Sequence, residues 1–206
     1  MLFDSLALIS LLIIITLLKR LVNIFPSLMA CIIRWKENFN LHQSVKMSTD
    51  RNMLSVALVI PFCLIADRFD LYQPAFMDGF NSVFRLLTTI GVFFAYIGLR
   101  IACRYTFRLH STSANTYKVA NESARTYFIT GTLLLIAAGG LLSMFGTPIT
   151  GIKNAMFWIS GTIYLVFLLR KTQIFNSSCS LFATFLYLCA LEFLPTGVLI
   201  ASAVIF

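Results

Sequence analysis

The sequence predicts an all-α integral membrane protein, a bundle of about six transmembrane helices. Three observations predict it. Six apolar stretches approach the ~20 residues that a helix needs to cross a ~30 Å hydrocarbon core. Of the 206 residues, 59% are hydrophobic and only 12% charged, with a mean hydropathy of +0.87. Most Lys and Arg residues gather in alternate gaps between the apolar stretches. A helix closes its own backbone hydrogen bonds, so it can cross lipid where an open strand cannot. The net charge of +8 would point to nucleic acid in a soluble chain. Here basic loops at a negatively charged membrane surface explain it, and no nucleic-acid partner is expected. The length suits one transmembrane domain, residues 1–206.

The first span is expected at 6–25. Asp4 precedes it and Lys19 and Arg20 follow its apolar run, the reverse of a signal peptide, so it reads as an anchor. Pro26 is expected to end it. Leu28, Ile32, Trp35 and Phe39 then recur at spacings of four, three and four, beside Arg34, Lys36 and Glu37. That stripe suggests a short amphipathic interfacial helix near 28–39, with a simple loop as the alternative. The second span, 53–66, is short and contains Pro61. Helix continuing past Arg51 and Arg68 would restore its length, and a re-entrant hairpin is the other reading. Asp67, Asp70 and Asp78 read as an acidic outer loop, with Tyr72 at the interface.

The third span, 83–103, carries Gly91, Ala95, Gly98 and Ala102 at spacings of four, three and four. Such a seam lets another helix approach closely. Chance in a chain rich in small residues is the competing explanation. A basic polar loop is expected from Arg104 to Arg125. The fourth span, 127–145, contains Ala137-Ala138-Gly139-Gly140, a close-packing site or a flexible point. Gly146-Thr147-Pro148 marks a turn before the fifth span, 155–169, which Arg170 and Lys171 close. The sixth span is 181–204.

With both termini on the outer side, thirteen of the sixteen Lys and Arg residues fall on the inner side, leaving Arg68, Arg85 and Lys153 outside. Basic residues favour the cytoplasmic side, so this orientation is expected. The two His and five Cys form no ligand cluster, and no metal or cofactor is expected. There is no HExxH, no GxSxG and no Gly-rich phosphate loop, so nothing in the sequence points to an enzyme.

Glu192 is the sharpest candidate residue, a carboxyl well inside the sixth span. Arg85, entering the third span from the outer end, is its candidate partner. Pro195 lacks the N–H that would bond the Leu191 carbonyl, which leaves a polar group beside Glu192. The set Glu192, Arg85 and Pro195 reads either as a proton or cation site or as a buried tie that fixes helix register. Arg100 is expected to snorkel to the inner interface.

Tyr187, Cys189, Glu192 and Pro195 follow a Tyr-x-Cys-x-x-Glu-x-x-Pro spacing within Phe185–Pro195. This segment resembles the C-terminal signature of a Bacteroidetes-type family of small multi-spanning inner-membrane proteins of unestablished function. The resemblance implies a bacterial inner membrane and draws attention to Glu192 and Pro195, and it implies no activity. The expected role is a non-enzymatic subunit or assembly factor, in contact with the lipid bilayer and with a membrane-protein partner or further copies of itself. The alternative is a small-solute or proton transporter or channel using Glu192. An intramembrane enzyme acting on lipid is a third reading.

Overall fold

The computed structural model describes residues 2–72, 74, 77, 79–106, 114–177 and 180–205. Asp78, Arg108, His110 and Cys179 lie outside the described residues. Among the described residues the regular structure is helical: α1 (Leu2–Ile33), α2 (Glu37–Gln43), α3 (Val45–Ala57), α4 (Val59–Arg68), α5 (Ser82–Thr106), α6 (Ala114–Met144), α7 (Ile149–Asn176), α8 (Leu181–Leu188) and α9 (Leu194–Ile205). A π-helical turn, Cys189–Phe193, joins α8 to α9. Six stretches are long and apolar enough to cross a membrane: Ser5–Ile33, Val45–Arg68, Ser82–Thr106, Asn115–Met144, Ile149–Asn176 and Leu181–Ala203.

Several helices run further than their apolar cores. Pro26 lies inside α1 and does not end it. Its missing N–H costs one bond, to the Val22 carbonyl, which a long membrane helix tolerates. The stripe from Leu28 to Phe39 is divided, with Leu28 and Ile32 on the last turns of α1, Trp35 in the connecting turn and Phe39 on α2. The second span reaches Val45–Arg68 with a break at Leu58. Pro61 offers no N–H to the Ala57 carbonyl, so the helix must readjust there. α6 begins at Ala114, so Lys118, Glu122 and Arg125 are helical and not part of a loop. Lys and Arg are good helix formers, so a charge ends an apolar run without ending the helix.

Turn chemistry explains two of the sharp ends. α6 closes on Gly146, whose φ of 68° suits glycine, with Thr147 N–H bonding the Leu142 carbonyl and Gly146 N–H the Ser143 carbonyl. α4 closes with the same bond pattern, but Asp70 (φ 49°) takes the left-handed position.

The exterior of the bundle is apolar, and its interior mixes apolar with polar side chains. Leu28, Ile129, Met156 and Ile174 are buried together with Ser55, Thr89, Asn121, Ser123, Thr126, Lys171 and Glu192, while Leu11, Phe84, Leu87, Phe94, Trp158 and Phe185 are exposed. A water-soluble domain would not leave so many large apolar side chains on its surface. Lipid-facing exteriors give helices no hydrophobic reason to associate, so close packing and internal polar contacts hold them together. α6 lies at the centre, touching α1, α2, α3, α4 and α7, with the α6–α7 hairpin the most extensive pairing. α5 packs between α4 and the π turn with α9. At the α6–α7 crossing, a Cβ on Gly139 would sit 2.7 Å from Met156 Cε and 3.3 Å from Phe69 Cε2, so Gly139 is a close-packing site.

Candidate functional site

Three helices bring their charges to one buried point. On α5, Leu86, Phe93 and Arg100 recur every seven residues along the inward stripe: Leu86 is buried and Phe93 stacks with Phe62 and Phe128. Arg100 is thereby aimed into the bundle. On α7, Phe167, Lys171 and Phe175 are spaced by four, which puts them on one face. The Lys171 ammonium lies 5.5 Å from the Phe167 ring centroid and 5.8 Å from that of Phe175. Glu192 comes from the π turn ahead of Pro195. There Leu194 N–H bonds the Cys189 carbonyl, five residues back, and the widened turn accommodates the proline that cannot donate.

Arg100 Nη2 donates to Glu192 Oε1 at 2.6 Å, and Lys171 Nζ donates to the same oxygen. The side chains of Lys171 and Glu192 are each 1% exposed and that of Arg100 is 19%. The second oxygen, Glu192 Oε2, is buried with no hydrogen-bond partner. Phe167 also lies 5.5 Å beneath the Arg100 guanidinium. The Tyr164 hydroxyl is 3.3 Å from the Glu192 carbonyl and 3.1 Å from Thr196 Oγ1, which anchors the π turn to α7. Removing charges from water costs several kcal/mol per ion, so only close pairing makes this cluster tolerable.

The expected Arg85–Glu192 pair does not form. Arg85 Nε donates to Asp67 Oδ1 at 3.0 Å, and its Nη1 lies 3.2 Å from Asp70 Oδ1. Arg85 sits fifteen residues before Arg100 on α5, about 22 Å along a helix. It is at the opposite end of the bundle and meets the end of α4 first. Asp67 is correspondingly buried and is not an open loop residue. Arg100 turns inward to the carboxylate, which outcompetes the interface for it. The small-residue seam points the other way: Gly91, Ala95, Gly98 and Ala102 are all exposed.

A second cluster escaped the sequence reading. Glu122 Oε2 on α6 accepts from Arg51 Nη2 and lies 2.7 Å from His42 Nδ1, tying α2, α3 and α6 together. Arg125 Nη1 donates to Asn52 Oδ1 at 2.6 Å beside it. One signal was available: between Asp78 and Glu192, Glu122 is the only acidic residue, within a basic segment. Cys31, Cys63 and Cys103 are free and buried. Among the described residues no three His, Cys, Asp or Glu side chains gather as a metal site would require.

No curated protein and no solved structure matches the chain. Residues 5–202 match the family described as a domain of unknown function, DUF4271, and this membrane protein belongs to that family.

Proposed function

We propose that this protein is a small non-enzymatic subunit or assembly factor of a membrane complex. In this reading it sits in a bacterial inner membrane of the Bacteroidetes type, with both termini periplasmic and the basic end of the bundle cytoplasmic. The observation that carries the proposal is the outward seam on α5. A Cβ added at Gly91 or Gly98 would meet no atom within 4 Å, so these glycines serve no packing inside the chain. Facing lipid, small residues gain little. Facing another helix, they permit close backbone approach. Exposed Leu87, Phe94 and Ile101 rise beside the seam at intervals of seven and supply a ridge next to the groove.

The test is Gly98→Leu, followed by native mass spectrometry of the protein purified in mild detergent. The expected result is loss of a co-purifying partner or of self-association, with monomer stability unchanged because the added side chain meets open space. An unchanged assembly state sinks the proposal.

The second reading, transport of a proton or small solute through Glu192, is favoured by the unpartnered Oε2 on a π turn. It requires that Glu192→Gln abolish flux in liposomes while the bundle stays folded. Against it stands the occupation of the same carboxylate by two cations.

A further inference from the structure

The connection between α1 and α3 runs through α2, which is seven residues long. A helix of that length does not hold itself together, and the start of α2 has no side-chain cap. Its place is therefore set by what its side chains touch. Leu41 is buried in the apolar cluster with Leu28, Cys31 and Leu54. Asn38 is buried, and its Nδ2 donates to the Trp35 carbonyl at 3.2 Å. The third tie is His42 in the last turn, whose Nδ1 lies 2.7 Å from Glu122 Oε2 on α6. Of the three, this is the tie whose charge can change.

Imidazole is the side chain that ordinarily gains or loses its charge between about pH 5 and 8. A charged imidazole donates to a carboxylate roughly twice as strongly as a neutral one. The surrounding groups fix the sign of the effect. From α3, Arg51 donates to the same Oε2, while Asp50 is paired with Arg20 of α1. From α6, Arg125 is turned to Asn52 Oδ1, and Lys118 is exposed, as are Arg34, Lys36 and Lys46. Glu37 of α2 accepts from Asn40 Nδ2 at 2.9 Å, and Cys31 of α1 is a buried thiol. Two donors on one oxygen cannot come as close to each other as each comes to that oxygen. The pull of the Glu122 carboxylate on a charged His42 therefore outweighs repulsion from Arg51. The carbonyls at the end of α2 act in the same direction.

We propose that His42 and Glu122 form a pH-sensitive latch, which fastens α2 to α6 while the imidazole is charged and loosens as the pH rises. The two side chains are 15% and 17% exposed, so a proton can reach the pair without opening the bundle. The latch is independent of the seam on α5.

The test is hydrogen–deuterium exchange of the full-length protein in detergent, followed in peptides covering Glu37–Gln43 and corrected for the intrinsic pH dependence of exchange. Protection of α2 is expected to fall about fivefold between about pH 5.5 and about pH 8, while that of α7 stays constant. His42→Gln, which cannot titrate, is expected to show the same protection at both values. His110→Gln removes the other histidine of the chain and should leave the fivefold change intact. If His42→Gln does not fold, His42→Lys takes its place, since its charge is constant over this range. No change with pH in the wild type, a change that survives substitution of His42, or one that disappears in His110→Gln overturns the proposal.

Discussion

Glu192 and Glu122 are alike in chemistry and different in enclosure. Each carboxylate engages two basic side chains through one oxygen: Lys171 and Arg100 for Glu192, Arg51 and His42 for Glu122. Glu192 is 1% exposed at the meeting of α5, α7 and the π turn, while Glu122 is 17% exposed on the α2–α3–α6 side. A group that retains some access to polar surroundings can be partly re-solvated when its partner is lost. A fully enclosed one cannot. Enclosure, more than the number of ion pairs, therefore sets what each cluster is worth.

The largest expected effect sharpens that contrast. Glu192→Gln leaves Lys171 and Arg100 facing each other without a counter-charge and should destabilise the bundle by about 3–5 kcal/mol in detergent unfolding. Adding Lys171→Met should recover much of the loss, because an apolar chain between Phe167 and Phe175 needs no partner. A double variant no more stable than the single one breaks the enclosure argument. Arg51→Met, which leaves the 17%-exposed Glu122 with His42 and some access to polar surroundings, should cost about 2 kcal/mol. A loss from Arg51→Met as large as that from Glu192→Gln would mean that enclosure does not distinguish the two clusters. The smallest effect belongs to Arg20, 45% exposed and 3.3 Å from Asp50: Arg20→Gln should change unfolding by less than about 0.5 kcal/mol.

The two ends of α5 teach a related lesson about legibility. Arg85 and Arg100 are the same residue type on one helix, and the sequence reading paired the wrong one with Glu192. Hydropathy marks where an apolar run stops, but it assigns depth only to within a turn or two. The helix itself continues through Lys and Arg, as α6 and α7 do well beyond their apolar cores. Two signals were present and underused. Arg100 keeps the seven-residue beat of Leu86 and Phe93, and Lys171 shares a face with Phe167 and Phe175. Read together with the seam, the first signal also implies that Gly91, Ala95, Gly98 and Ala102 lie on the face opposite Arg100.

The helical class, the six spans and the concentration of base at one end follow from composition and periodicity. Those properties depend on local hydrogen bonding and on the transfer of side chains into lipid, and both are set residue by residue. Which cation reaches Glu192, which acid holds Arg51 and which way the α5 seam faces depend on how helices distant in sequence cross and rotate. Arg100 and Glu192 are 92 residues apart and Arg51 and Glu122 are 71 apart. No local rule connects such pairs. The tertiary structure selects them, because an ion buried in the bundle must find its partner among whatever side chains packing has brought within hydrogen-bond reach.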